Sequence, residues 1–290
     1  MLPGMAAKPR IAIVGPGNLG SALAVSLHNA GFEIEAVIAR DTPISLRKAR
    51  RVAKRVGARA LAGLARVDAD LFWFCVPDSE IARTADGFAS KISWKGKIAL
   101  HSSGALAGDE LDSLRKVGAS VASVHPLMTF VHGSRPRLAR VPFAIEGDAA
   151  AMRVARRIVR GLGGKPYSIR KQDKAAYHAW GTFASPMLTA LLATTEKVAG
   201  LADVNRRDAV RRMMPILQQT LANYAEYGGP NAFSGPIIRG DVDTVQRHLQ
   251  VLRGEPAARD VYAALARSAL QYLPAKNKAA LRRILDSAKD

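Results

Sequence analysis

Residues able to do chemistry stand at four places in an otherwise apolar framework. Val76-Pro77-Asp78, His101-Ser102-Ser103-Gly104 and His125-Pro126-Leu127 each close a short apolar run. Lys174-Ala175-Ala176-Tyr177-His178 sets Lys174 and His178 at i, i+4, on one helix face. A lysine beside a carbonyl or imine could protonate its oxygen or nitrogen as a hydride arrives. Ser102, Ser103 and Gly104 offer hydroxyls and N–H groups to an anionic substrate, and His125 offers an imidazole. Each has a plain structural alternative: a solvated helix end for Lys174, a hydrogen-bonded strand end for the histidines. The fifth candidate is Gly235-Pro236-Ile237-Ile238-Arg239-Gly240-Asp241, where Arg239 either grips a carboxylate or merely precedes a helix cap.

These groups need a framework, and one stretch organises it. Arg10-Ile11-Ala12-Ile13-Val14 runs as a strand into Gly15-Pro16-Gly17-Asn18-Leu19-Gly20 and then a helix. Strand, G-x-G-x-x-G and helix in that order predict dinucleotide binding. Gly15 would make the tight turn, Gly17 would admit a pyrophosphate, and Gly20 would let helix and strand pack closely. Asn18 and Leu19 belong to the same phosphate cradle, and Val76 and Pro77 would line the nicotinamide side. NAD-binding domains usually place an acid at the end of the second strand; here Val37-Ile38-Ala39 ends in Arg40. A guanidinium suits a 2′-phosphate, so the expected cofactor is NADP. Ser45 could add a hydroxyl. The competing reading makes Asp41 the ribose acid.

Strands and helices alternate along the first half, predicting a mostly parallel sheet covered on both faces. Strands are expected at Glu33 to Ala39, Arg59 to Leu61, Leu71 to Val76, Lys97 to His101, Ser120 to His125, Pro142 to Glu146 and Lys165 to Ile169. Between them, helices are expected at Ser45 to Val56, Ser79 to Ala89, Leu106 to Val117 and Ala149 to Leu162. From Gln172 the periodicity is helical, with helices at Asp173 to Ala199, Arg206 to Tyr227, Asp241 to Leu252, Ala257 to Leu273 and Lys276 to Ala288. The expected fold class is thus α/β, a mostly parallel dinucleotide-binding sheet over residues 1–170, followed by an all-α substrate and dimerisation domain over 171–290.

Composition limits the alternatives. The chain has 290 residues, enough for two domains, and 48% hydrophobic residues, typical of a folded protein. The single cysteine, Cys75, lies in an apolar run and fits a reducing cytoplasm. No Cys and His cluster has metal-ligand spacing, so no metal is expected. Met1 to Arg10 has no long apolar core and does not read as a secretion signal. Ala175 to Thr195 lacks charged residues but is too polar for a membrane span, and reads as a helix buried on most sides. The formal charge of +19 raises nucleic-acid binding. The basic residues are spread over several helices, with one dense run at Arg47 to Arg55 and no recognisable nucleic-acid motif, so that partner is not expected.

Taken together, Gly15 to Gly20, Val76-Pro77-Asp78, His101 to Gly104, His125-Pro126-Leu127, Lys174 with Tyr177-His178, and Gly235-Pro236 with Arg239-Gly240-Asp241 resemble a bacterial group of Rossmann-like oxidoreductases. Their helical C-terminal domain was catalogued as a domain of unknown function. The resemblance covers nearly the whole chain, and the group is similar to 6-phosphogluconate dehydrogenase, pyrroline-5-carboxylate reductase and ketopantoate reductase. It implies NADP-linked hydride transfer and a homodimer built by the helical domain. Such relatives carry a catalytic Lys on the first C-terminal helix, and Lys174 matches it. Tyr177-His178 falls where they carry an Asn. The His-Pro pair is similar to that of prephenate dehydrogenases, whose histidine contacts substrate. One departure is Ser185-Pro186, where members often have Asn after Ala-Ser; Pro186 should also kink its helix.

The resulting expectation is reduction of a small anionic 2-oxo acid or imino acid, ketopantoate being one case. Lys174, His178 and His125 are the catalytic candidates, and Ser102, Ser103, Gly104, Tyr177 and Arg239 the substrate contacts. The rival reading is a sensor or partner-binding protein that holds NADP without turning it over.

Overall fold

The computed structural model describes residues 8–63, 67–134 and 136–287. Met1 to Ala7 and Ala288, which figure in the expectations above, lie outside those residues. The chain forms two compact units, residues 1–182 and 183–290. The division falls one helix later than the sequence suggests, so the Lys174 helix belongs with the sheet.

The first unit is β1 (Ile11–Val14), α1 (Asn18–Asn29), β2 (Ile34–Ala39), α2 (Pro43–Val56), β3 (Arg59–Ala62), β4 (Leu71–Phe74), α3 (Ile81–Ala89), β5 (Ile98–His101), α4 (Asp112–Lys116), β6 (Ser120–Pro126), β7 (Pro142–Gly147), α5 (Ala149–Gly161), β8 (Lys165–Ser168) and α6 (Lys174–Thr182). Apolar strands of four to seven residues joined by amphipathic helices must pair parallel, because each helix carries the chain back along the sheet. The order is β3-β2-β1-β4-β5-β6-β7-β8. All neighbours are parallel except β6 and β7. Strand order reverses between β1 and β4, the place where such sheets open a crevice at their carboxyl ends.

Side-chain alternation splits the core by face. Leu23 of α1, Val52 of α2 and Ile158 of α5 pack with Ile13, Trp73 and Val124 on one side. Ile81 and Phe88 of α3 and Leu114 of α4 pack with Phe72, Phe74 and Val121 on the other. One register row crosses the sheet near its carboxyl edge: Val14, Phe74, His101, Ser123, Glu146. It begins apolar and ends polar.

Three expectations need correction here. β4 stops at Phe74, leaving Cys75 half-buried past the strand. The helix expected from Leu106 is a 3-10 turn, Gly108–Leu111, with only Asp112–Lys116 α-helical. The Gly108 N–H donates to Glu146 Oε2 at 2.9 Å rather than entering a helical ladder. The stretch Ala175 to Thr195 is not buried on most sides. Of α6 only Lys174 and Tyr177 are buried, and Trp180 and Phe183 are 59% and 76% exposed. Within one chain the helix has a packing partner along one stripe only.

The second unit is helical: a π-turn at Phe183–Met187, then α7 (Leu188–Gly200), α8 (Arg206–Ala232), α9 (Pro236–Arg239), α10 (Val242–Val251), α11 (Pro256–Tyr272) and α12 (Lys278–Asp286). The π-turn contains Pro186. A proline cannot donate to the helical ladder and crowds the preceding turn, and a widened turn relieves both. Gly228, with φ 74 and ψ 166, breaks α8 near the expected end of that helix. Val245 and Leu249, Ala266 and Leu270, and Leu281 and Leu285 form the core of α10, α11 and α12.

Candidate active site

At the end of β1 the chain turns through Gly15 with φ +98, and a Cβ there would lie 2.6 Å from the Cys75 carbonyl oxygen. A Cβ on Gly20 would collide with the Gly15 carbonyl. Both glycines are therefore demanded by the fold. Gly17 is different. Its φ is −70, and a Cβ would meet nothing nearer than Cys75 O at 4.0 Å. The protein itself leaves room for a side chain there, so the missing one gives clearance to a ligand, as a pyrophosphate requires. α1 starts without a side-chain cap, leaving first-turn N–H groups for an anion. Asn18 Nδ2 donates to Phe130 O at 3.2 Å and Leu19 packs against the core, so both would serve a phosphate through backbone.

Beyond the glycine loop lies a cavity of about 520 Å³. Val76 and Pro77 form one wall; Arg40, Ser45, Lys48 and Arg83 approach from α2 and α3. Thr42 Oγ1 accepts from the Ser45 N–H at 3.3 Å, which caps α2 and fixes Ser45 at the rim. Arg40, Lys48 and Arg83 are exposed, and Arg83 pairs with Glu80. The donor set fits a nucleotide with an additional phosphate near the end of β2. Arg83 was not legible in the sequence, because it reaches the cavity from a helix distant along the chain.

The second group of side chains gathers at the ends of β5 and β6. Lys174 is only 1% exposed. Its Nζ donates to Ser123 Oγ at 2.7 Å and to Ser103 O at 3.1 Å. Ser123 Oγ also donates to Ser103 O at 3.1 Å. The Ser103 hydroxyl donates to Asp78 Oδ2 at 2.8 Å and accepts from the Ala105 and Leu106 N–H groups. It thereby ties the turn after β4 to the turn after β5. His125 Nδ1 lies 2.7 Å from the Tyr177 hydroxyl, and the His125 and His178 rings are 6.1 Å apart. Gly104 makes this approach possible: a Cβ there would lie 2.5 Å from His178 Cδ2 and 2.9 Å from His125 Nε2.

Burial sets the charges. Desolvation pushes the Lys174 ammonium down to about 8, partly opposed by the carboxylates of Glu146 and Asp78. It holds His125 down to about 4, helped by the charge on Lys174 and by His178 and His101. His101 is likewise lowered to about 4, chiefly by burial. Its Nε2 lies 2.8 Å from Ala107 O and its Nδ1 accepts from the Ser103 N–H at 3.1 Å, which defines a neutral tautomer with the proton on Nε2. Burial pushes the Tyr177 hydroxyl up. Near neutral pH His101 and His125 are therefore neutral beside a lysine that releases its proton readily.

The structure thus brings Lys174, Ser103, Gly104, His125, Tyr177 and His178 together. It does not add the Ser102 hydroxyl, which accepts from Trp73 Nε1 at 2.8 Å inside the sheet. Arg239 ends α9 in the second unit and is exposed; the capping there is done by Gly240, in the left-handed conformation, and by Asp241, which accepts from the Thr244 N–H. Sequence reading missed Ser123. The available signal was Ser123 and His125 at i, i+2, two polar residues on one face of a buried strand. Among the described residues no group of His, Cys, Asp and Glu could hold a metal ion.

Residues 5–126 match the Rossmann-like domain, and residues 141–269 match DUF2520, a domain of unknown function. No curated protein matches the chain. In fold it is similar to a candidate NADP oxidoreductase, BF3122 from Bacteroides fragilis, with 24% identity, TM-score 0.76, and coverage of 90% of this chain and 97% of that one. It is similar also to the reductive aminase of Aspergillus terreus in complex with NADPH and ethyl-5-oxohexanoate, with 16% identity, TM-score 0.65 and coverage of 91% and 94%. The pyrroline carboxylate reductase of Plasmodium falciparum with NADP bound matches at 14% identity and TM-score 0.57, covering 97% of both chains.

Proposed function

We propose that this chain, a Rossmann-like domain joined to a DUF2520 domain, is an NADP-dependent oxidoreductase that reduces a C=O or C=N bond. One observation carries the reading: a buried lysine with two hydrogen-bond acceptors and a pKa lowered to about 8 stands in the same unit as the glycine loop. Enzymes of this chemistry need an acid whose proton is available near neutrality. The reductases it is similar to in fold point the same way.

Gly15, Gly17, Asn18, Leu19 and Gly20 would hold the pyrophosphate by backbone, with Arg40, Ser45 and Lys48 on the 2′-phosphate. When bound, the reduced nicotinamide supplies the hydride. Lys174 gives its Nζ proton to the substrate oxygen or nitrogen. Ser123 and the Ser103 carbonyl keep Nζ in place and accept its remaining N–H groups. Neutral His125, held by Tyr177, orients the substrate without competing for the proton, and His178 packs beside it.

The proposed substrate is a small anionic 2-oxo acid or imino acid, ketopantoate included. Arg239, from its sequence setting, is the proposed partner of its carboxylate. A homodimer is proposed for the second unit: Ile216, Leu221 and Tyr224 of α8 are 68%, 60% and 64% exposed, an apolar surface of the kind a second copy buries. No helix among the described residues is long and apolar enough to cross a membrane. With its one free cysteine, the chain fits a cytoplasmic setting.

Lys174→Met tests the assignment. NADPH affinity, followed by nucleotide fluorescence, should be kept, while turnover falls by at least about 100-fold. Wild-type turnover in the variant would overturn the role of Lys174. Tight NADPH binding by the wild type with no turnover over a panel of 2-oxo acids and cyclic imines would favour a sensor.

A further inference from the structure

The positive charge is not spread as the linear sequence suggests. α1, α2 and α5 cover the same face of the sheet, since their apolar sides meet in one core cluster. The outward sides of α2 and α5 carry Arg47, Lys48, Arg50, Arg51, Lys54 and Arg55, then Arg153, Arg156, Arg157 and Arg160. None of the three helices contains Asp or Glu. The six basic residues of α2 are exposed, as are Arg153, Arg157 and Arg160. Among the described residues, neither the α2 cations nor Arg153 and Arg160 form a salt bridge. At the margins, Asp148 is engaged by Arg115 and Glu35 by Arg59.

The opposite layer is a built-in control. α3 carries Arg83 and Asp86, and α4 carries Asp112, Arg115 and Lys116. The turns before them add Asp78, Glu80, Asp109 and Glu110. A chain that is simply rich in arginine would load both layers alike. Counted on the helices alone, α2 and α5 carry ten Lys and Arg and α1 none, with no acid on any of the three, against three Lys and Arg and two acids on α3 and α4. Asp41 before α2 and Asp148 before α5 are the acids flanking the basic helices.

We propose that the outer face of α1, α2 and α5 binds the phosphate backbone of a nucleic acid without reading its sequence. Basic side chains recur at each turn of α2 and α5, about every 5 Å along each helix, so successive phosphates can be met together. The face offers no aromatic platform for stacking bases, which favours a duplex over a single strand. Ile44 is the one large apolar side chain that α1, α2 and α5 leave strongly exposed, too little for insertion into a lipid surface. The site is separate from the Lys174 cluster; Lys48, which also lines the cofactor cavity, is the one cation it shares with the proposed NADP site.

The test is anisotropy titration of labelled 20-base-pair DNA and RNA duplexes of arbitrary sequence with the full chain, from 50 to 200 mM salt. If about five phosphates are neutralised, affinity should fall by roughly 500-fold over that range. Arg50→Glu with Arg51→Glu and Arg55→Glu should weaken binding at least about tenfold at 50 mM salt. Arg153→Glu with Arg160→Glu should weaken it separately, with circular dichroism matching the wild type in both. Lys91→Glu with Lys95→Glu and Lys116→Glu, off this face, should change it less than about threefold. Equal loss in that last variant, or no saturable binding at 50 mM salt, would overturn the proposal. So would tighter binding to phosphatidylserine vesicles than to either duplex.

Discussion

At the end of β2, Arg40 and Lys48 stand in solvent beside an open cavity; at the ends of β5 and β6, the nearest cation is Lys174, 1% exposed and held by Ser123 and Ser103. The first region supplies backbone N–H groups and fully hydrated charges, which suits an anion already charged in water. The second removes water from its charges, and desolvation then lowers Lys174, His101 and His125 alike. Binding a phosphate needs strong, permanent charge. Moving a proton needs a charge held loosely, and burial is what loosens it.

The largest effect expected from this difference is on acid stability. Below pH 6.5 the unfolded chain takes up protons that the folded His101 refuses until about pH 4. Stability present above pH 6.5 should therefore be lost as pH falls toward 4, by about 3 kcal/mol for His101. His125, also lowered to about 4 but less deeply buried, should add to the loss. Urea denaturation at pH 7 and pH 4.5 measures this, and equal midpoints would mean the imidazoles are not held neutral.

The cavity side should answer to charge instead. Arg40→Asp should weaken NADPH by about tenfold to a hundredfold, with NADH little changed. Equal loss of both would remove Arg40 from the 2′-phosphate.

Two glycines separate the regions on a finer scale. Gly104→Ala forces a Cβ against His125 and His178 and should cost about 1–3 kcal/mol in thermal or urea unfolding. Gly17→Ala has room, and φ −70 suits alanine, so stability should stay within about 0.5 kcal/mol while NADPH binding weakens. A stability loss at Gly17 as large as at Gly104 would mean its glycine serves the fold.

The same contrast explains what could be read in advance. The glycine loop and Arg40 lie within one strand-loop-helix-strand run, so local spacing exposes them. The Lys174 cluster joins segments far apart along the chain; the bond from Lys174 to Ser103 O alone spans 71 residues. Lys174, His125 and Gly104 carry recognisable chemistry and were nameable one at a time. Ser123 looks like a small strand residue until its register beside His101 is known. Ser102 misled for the opposite reason: its hydroxyl is used by Trp73 across the sheet, a partnership that only strand order creates. The apolar stretch after Ala175 misled because its composition matches a core helix and an exposed interface helix equally well.

Lys174, as a buried acid that gives up its proton near neutrality, carries the proposed chemistry. Its side-chain nitrogen can be followed directly by NMR across pH in ¹⁵N-lysine-labelled protein, assigned by loss of the signal in Lys174→Met. Titration near pH 8 is the predicted result. A midpoint at 10 or above, where an ordinary solvated lysine titrates, would contradict it.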